Sequence, residues 1–203
     1  MHCDTLADPL DERTKVFKKV SGKRTKTISD YEEIGRLEYA AGLYVDHNGS
    51  PVLPGRNVAK SLTEGARMTK SGMKIERGLT LIDFTCRLGF KWPRKDSDGY
   101  PVGATAEVLC EDSNFVSRQT VKVGQARNVR VRPIFRSWRL SCHFLSDETV
   151  VDVDELVDIA DRAGRFVGLG DFRRGGYGRF WARVVDLGPV VVEGISAADW
   201  DQD

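Results

Sequence analysis

Several absences narrow the classes open to this chain. No apolar run in its 203 residues approaches the ~20 that a membrane-spanning helix needs. The opening residues, MHCDTLADPL, lack the charged-then-apolar layout of a secretory signal. Cysteine is scarce and scattered, at Cys3, Cys86, Cys110 and Cys142, with no Cys-x-x-Cys pair. The histidines, His2, His47 and His143, fall at none of the spacings that build a tetrahedral zinc site. Neither sign of charge dominates: 31 Lys+Arg against 30 Asp+Glu leave a net +1, which excludes a basic coat protein or a disordered polyelectrolyte. These absences predict a soluble, cytoplasmic protein with reduced thiols, no metal and no cofactor. Cys86 and Cys142 sit in apolar alternation and are expected as small core residues.

What is present is enough for one folded domain. Apolar residues make up 40% of the chain and include nine Phe, five Tyr and four Trp, so a substantial core is available. Behind the balanced total, charge is blocked. Residues 13–26 hold seven Lys/Arg and no acid, residues 117–140 hold seven more and no acid, and residues 146–161 hold seven acids and no base. The chain divides into a basic, helical segment (1–40), a core (41–186) and an acidic tail (187–203).

Periodicity supplies the elements. Trp138, Leu140, Cys142 and Phe144 alternate with Arg139, Ser141 and His143, the pattern of a strand buried on one face. Ile82, Phe84, Cys86, Leu88 and Phe90 alternate in the same way, and so do Phe180, Ala182 and Val184 with Arg179, Trp181 and Arg183. Three half-buried strands suit an antiparallel sheet. Trp138 and Phe84 are expected on its buried face, under Leu156 and Phe166. Helices are expected over Glu12–Val20, Asp30–Tyr39, from Pro54-Gly55 to Met68, and after Asp152, where Glu155 completes a capping box. Gly42–Asp46 and Pro51–Leu53 flank a His47-Asn48-Gly49 turn and read as a small hairpin, and Asp98-Gly99 marks a second turn. From residue 55 onward the order is helix, strand, strand, helix, strand. That is the tail of an α+β, ferredoxin-like (RRM-like) arrangement, with helices on one face, lacking a convincing first strand and preceded by a helical insertion.

Two motifs stand out. Five glycines, Gly168, Gly170, Gly175, Gly176 and Gly178, fall within eleven residues between the acidic helix and the last strand. Arg173, Arg174 and Arg179 there offer phosphate partners, and Tyr177 offers a stacking face. The loop is not a phosphate loop of the Walker type, because no Gly-Lys-Ser/Thr follows it. The second motif is Leu53-Pro54-Gly55-Arg56-Asn57, which opens a helix carrying Leu62 and Arg67.

Together the two motifs resemble those of the RAMP superfamily, the backbone subunits of CRISPR effector complexes. The resemblance covers about residues 34–186 and extends to small proteins of phages and mobile elements. In that family a hydrophobic-Pro-Gly-Ser-Ser stretch opens the first helix of an RRM-like fold, and an Arg-Gly-Tyr-Gly loop precedes the last strand. Leu53, Pro54 and Gly55 match the first; Gly168, Gly170, Gly176, Tyr177, Gly178 and Arg179 match the second. Arg56 and Asn57 replace the two serines. Glu38 stands nearest to the aspartate that the family's RNA-cutting subunits place before the Pro-Gly, within a helical pattern where it reads as an ordinary surface residue.

The resemblance implies a non-catalytic protein that binds single-stranded nucleic acid, RNA before DNA, and assembles side by side along it as a homo-oligomer or as a subunit of a ribonucleoprotein. The expected contacts are Lys122, Arg127, Arg130, Arg132, Arg136 and Arg139 of the basic block, with Arg130 and Arg132 on one strand face opposite Val129 and Val131. Arg56 and Lys60 of the helix and Arg173, Arg174, Tyr177 and Arg179 of the loop complete the set. An alternative keeps the block structural, its arginines paired with the acids of 146–161. A second function class is a protein-interaction or inhibitor subunit that mimics or poisons a CRISPR-type complex. A third, a metal-dependent endoribonuclease with Glu38 as its carboxylate, lacks a visible histidine pair or acid cluster.

Overall fold

The structure is a computed structural model that describes residues 5–123 and 126–188; the side chains of residues 5, 122, 123, 126 and 127 are not described. Short polar side chains set the helix ends. Asp11 accepts a hydrogen bond from Arg13 N and opens α1, Glu12–Ser21. Thr27 and Asp30 form a capping box that opens α2, Ile28–Ala41. Pro54 leads into α3, Gly55–Arg67, and Ser71 into α4, Gly72–Gly78. A single turn, α5, spans Ala106–Leu109. Asp152 accepts from Glu155 N at 2.7 Å and opens α6, Val153–Arg162, which runs on as a π-helical turn, Ala163–Val167. Instead of closing the box, the Glu155 carboxylate pairs with Lys74 and ties α6 to α4.

The chain is α+β, and its described strands pair as four two-stranded antiparallel ladders. β1 (Val52–Pro54), β2 (Leu79–Leu81), β3 (Thr85–Arg87) and β4 (Gly89–Phe90) are short. β5 (Val116–Val123) and β6 (Ala126–Pro133) form the one long ribbon. β7 (Trp138–Arg139) and β8 (Phe144–Ser146) complete the set. β1 pairs with β3, β2 with β8, and β4 with β7. A strand therefore does precede α3, which the sequence left unfilled. The expected turn at residues 46–50 is closed by Gly49 N to Asp46 O at 3.0 Å and flanked by a Val45–Pro51 bridge.

Three apolar clusters hold these elements. Leu62 and Ala66 of α3 meet Ile159, Ala160 and Ala163 beside Ile75 and Val151. The approach of α3 to α6 is close: a Cβ on Gly65 would lie 2.9 Å from Ala163 N. Tyr39, Leu88, Phe90 and Leu109 form a second cluster, ringed by Trp92, Phe115, Phe135 and Trp138. The smallest, Leu53, Val58 and Leu169, sits where the two sequence motifs meet.

Several strand expectations are corrected. Cys86, Leu88 and Phe90 are buried, but Phe84 is 84% exposed and Ile82 50%. The chain turns between β2 and β3, and the inward phase changes from Leu79 and Leu81 to Cys86 across that turn. Phe166 is exposed and does not cover Trp138; Phe180 does, with ring centroids 6.2 Å apart. Residues 179–187 form no strand among the described residues, although Phe180 and Val184 pack inward and Phe180 N bonds to Gly164 O. β6 contains the expected strand face of Arg130 and Arg132, whereas β5 has no counterpart among the expected strands, because its polar run at residues 117–120 interrupts the apolar alternation. Cys86 and Cys142 are free thiols, the first buried and the second half-buried. The hydrogen bond between them lowers the Cys86 pKa and raises that of Cys142. No described helix is long and apolar enough to cross a membrane. Cys3, His2 and nearly all of the acidic tail lie outside the described residues.

Candidate nucleic-acid interface

The glycine-rich loop is a closed structure pinned at its neck. Leu169 N donates to Gly178 O at 2.8 Å, and Gly168 and Gly178 take φ of +77° and +71°. A side chain at Gly178 would put its Cβ 1.6 Å from Leu169 O, so the neck admits only glycine there. Ser61 of α3 donates from Oγ to the Gly168 carbonyl at 3.1 Å and fixes the neck to the first motif. Between these anchors Arg173–Gly175 form one 3-10 turn, preceded by Phe172 in the left-handed region at φ +54°.

That turn projects aromatic rings and cations together. Phe172 and Tyr177 lie with ring centroids 5.8 Å apart, and they are 56% and 40% exposed. The Tyr177 hydroxyl accepts from Gln119 Nε2 of β5 at 3.1 Å, joining the loop to the ribbon. Arg179 donates to the Arg173 carbonyl, and among the described residues none of Arg173, Arg174 and Arg179 pairs with a carboxylate. A cleft of about 130 Å³ opens between loop and ribbon. Gln119, Arg130 and Arg132 form one wall, Gly170, Phe172 and Tyr177 the other, and Leu53, Trp138 and Leu169 lie beneath. Its size is below the roughly 300–1,000 Å³ of pockets that engulf a small molecule.

The basic block is divided by the fold. Arg130 pairs with Glu38, and Arg132 Nη1 lies 2.6 Å from Asp171 Oδ2. Arg136 donates to the Asn114 carbonyl. Arg139 donates to the carbonyls of Asp98 and Gly99 and stacks over Tyr100 with Arg87. Arg87 in turn pairs with Asp96 and holds its carboxyl below the usual range. None of Arg130, Arg132, Arg136 and Arg139 pairs with the acids of 146–161, so for these four the structural alternative fails in its choice of partner. The side chains of Lys122 and Arg127 lie outside those described. Arg56 and Lys60 are exposed one turn apart on α3.

Glu38 is not a surface residue. Only 9% exposed, it accepts from Val131 N at 3.0 Å while pairing with Arg130, and so fastens α2 to β6. Sequence reasoning missed Phe172 and Gln119. Phe172 lay unremarked inside the glycine motif, and Gln119 gains meaning only when β5 is placed beside the loop.

The chain matches no protein-family model, no curated protein and no solved structure.

Proposed function

We propose that this protein binds single-stranded nucleic acid, RNA before DNA, on the face where the glycine-rich loop meets the β5–β6 ribbon, without cutting it. One observation carries the reading: two exposed rings 5.8 Å apart, beside three arginines that have no acid partner among the described residues. Rings of this kind stack on any base, and such cations follow phosphates. The same proposal includes RAMP kinship, a ferredoxin-like ancestry for the ladders, side-by-side assembly and a cytoplasmic place of action. The contact of Ser61 with Gly168 supports the kinship, because it unites the two motifs that carry it. The non-catalytic assignment is supported by Glu38, whose two carboxylate oxygens serve Arg130 and Val131 N.

A second reading, a protein-interaction or inhibitor subunit, is favoured by Trp181 and Phe84, which are 95% and 84% exposed. Fluorescence anisotropy with labelled single-stranded RNA and DNA across a salt series separates the two. The expected result is binding that weakens steeply with salt. Replacing Arg173 and Arg174 with alanine should lower the log–log slope by about one to two while melting stays unchanged. Tyr177→Ala should weaken binding by about 1–3 kcal/mol. Folded protein that binds neither strand at low salt overturns the proposal in favour of the second reading.

A further inference from the structure

We infer that Asp83, Cys86 and Cys142 form a binding site for a thiophilic divalent cation of the zinc class, with His143 as the partner that orients Asp83. The ligand atoms of the first three all lie within 4.8 Å of one another. Zinc bound to sulfur at 2.3 Å and to oxygen near 2.1 Å places tetrahedral ligands about 3.5–3.8 Å apart, so modest side-chain rotation closes the set.

Hydrogen bonds from main-chain N–H groups hold the ligands in place. Ile82 N donates to the His143 carbonyl at 3.0 Å, and His143 N donates to Asp83 Oδ2 at 2.8 Å. These bonds lay the Cys142–His143 segment against the turn that precedes Cys86. Gly55 N, at the start of α3, donates to Phe84 O at 3.0 Å and holds the turn from its other side. His143 Nδ1 also meets Asp83 Oδ2, at 2.7 Å. Both of these contacts fall on one carboxylate oxygen and leave Oδ1 for a cation. A ligating carboxylate hydrogen-bonded in this way is the usual outer support of a metal site.

The surroundings fit a cation better than a bare thiol pair. Cys86 is 2% exposed, whereas the Asp83 and His143 side chains are 29% and 53% exposed, so a dry sulfur floor opens to solvent on the carboxylate side. Three protein ligands leave a fourth position for water. The separation of 56 residues between Cys86 and Cys142 hides the pair from any spacing rule, but Asp83-Phe84-Thr85-Cys86 keeps the two-residue gap common between zinc ligands.

The test uses the full chain with Cys3→Ser and Cys110→Ser, which leaves only the two site thiols. Reduced, metal-free protein is titrated with Co²⁺ alone and then with Zn²⁺. The expected result is a thiolate-to-cobalt charge-transfer band that saturates at one equivalent and is bleached by zinc. Cys142→Ser, at a half-buried position, should abolish the band with circular dichroism unchanged, and His143→Gln should weaken affinity about 10- to 100-fold. Folded, reduced protein without the band overturns the site, and so does a band that survives Cys142→Ser.

Discussion

Ser61 and Gly168 are joined across 107 residues of sequence by one buried hydrogen bond of 3.1 Å, from the serine hydroxyl to the glycine carbonyl. Ser61 is 1% exposed, and its bond couples α3 to the neck of the glycine-rich loop. Ser61→Ala should therefore leave a buried carbonyl unpaired and cost about 1–3 kcal/mol. Urea unfolding measures this, and an unchanged midpoint would remove the coupling assigned to Ser61.

Glu38 should behave as a structural anchor. Glu38→Ala strands Arg130 and the Val131 N–H, and the loss should approach about 3 kcal/mol, the lower end for a broken buried pair, because Arg130 is 38% exposed. Glu38→Gln should cost less, since its amide oxygen still accepts from Val131. Paired urea denaturations give the ranking. Equal stability of wild type and Glu38→Ala, together with lost RNA cutting, would instead make Glu38 catalytic.

Asp30 should confer stability that acid removes. Lys23 Nζ lies 2.6 Å from its carboxylate, and this hydrogen bond, with the Thr27 backbone N–H, lowers the Asp30 pKa from 3.8 to about 2. A folded value below the unfolded one contributes above the unfolded value and is lost as pH falls through the folded one. The melting difference between wild type and Asp30→Asn should be full above about pH 5, shrink between about pH 4 and 2, and vanish below. A difference independent of pH would assign the effect to capping alone.

Phe84 and Phe90 should separate cleanly. Phe84→Ala removes an 84% exposed ring and should change stability by no more than about 0.5 kcal/mol. Phe90, 6% exposed and in ring contact with Trp92, Phe115 and Phe135, should cost about 3–5 kcal/mol on the same change. Thermal melts of the two variants check both, and a costly Phe84→Ala would show that its side chain is covered.

Local chemistry was legible in the sequence wherever the deciding atoms are near neighbours in the chain. Asp152 accepts from Glu155 N three residues on, the hairpin at residues 46–50 closes on itself, and Trp138, Leu140 and Phe144 keep the inward phase that their alternation implies. Partnership was not legible, because an arginine carries the same charge whether it meets phosphate or protein. Only the fold assigned Arg130 to Glu38 and Arg132 to Asp171 and, among the described residues, gave Arg173 and Arg174 no acid partner. The same holds for Cys86 and Cys142. Their contact depends on the main-chain bond from Ile82 N to the His143 carbonyl, and such a bond forms between backbone groups that every residue type carries, so composition and spacing leave no trace of it.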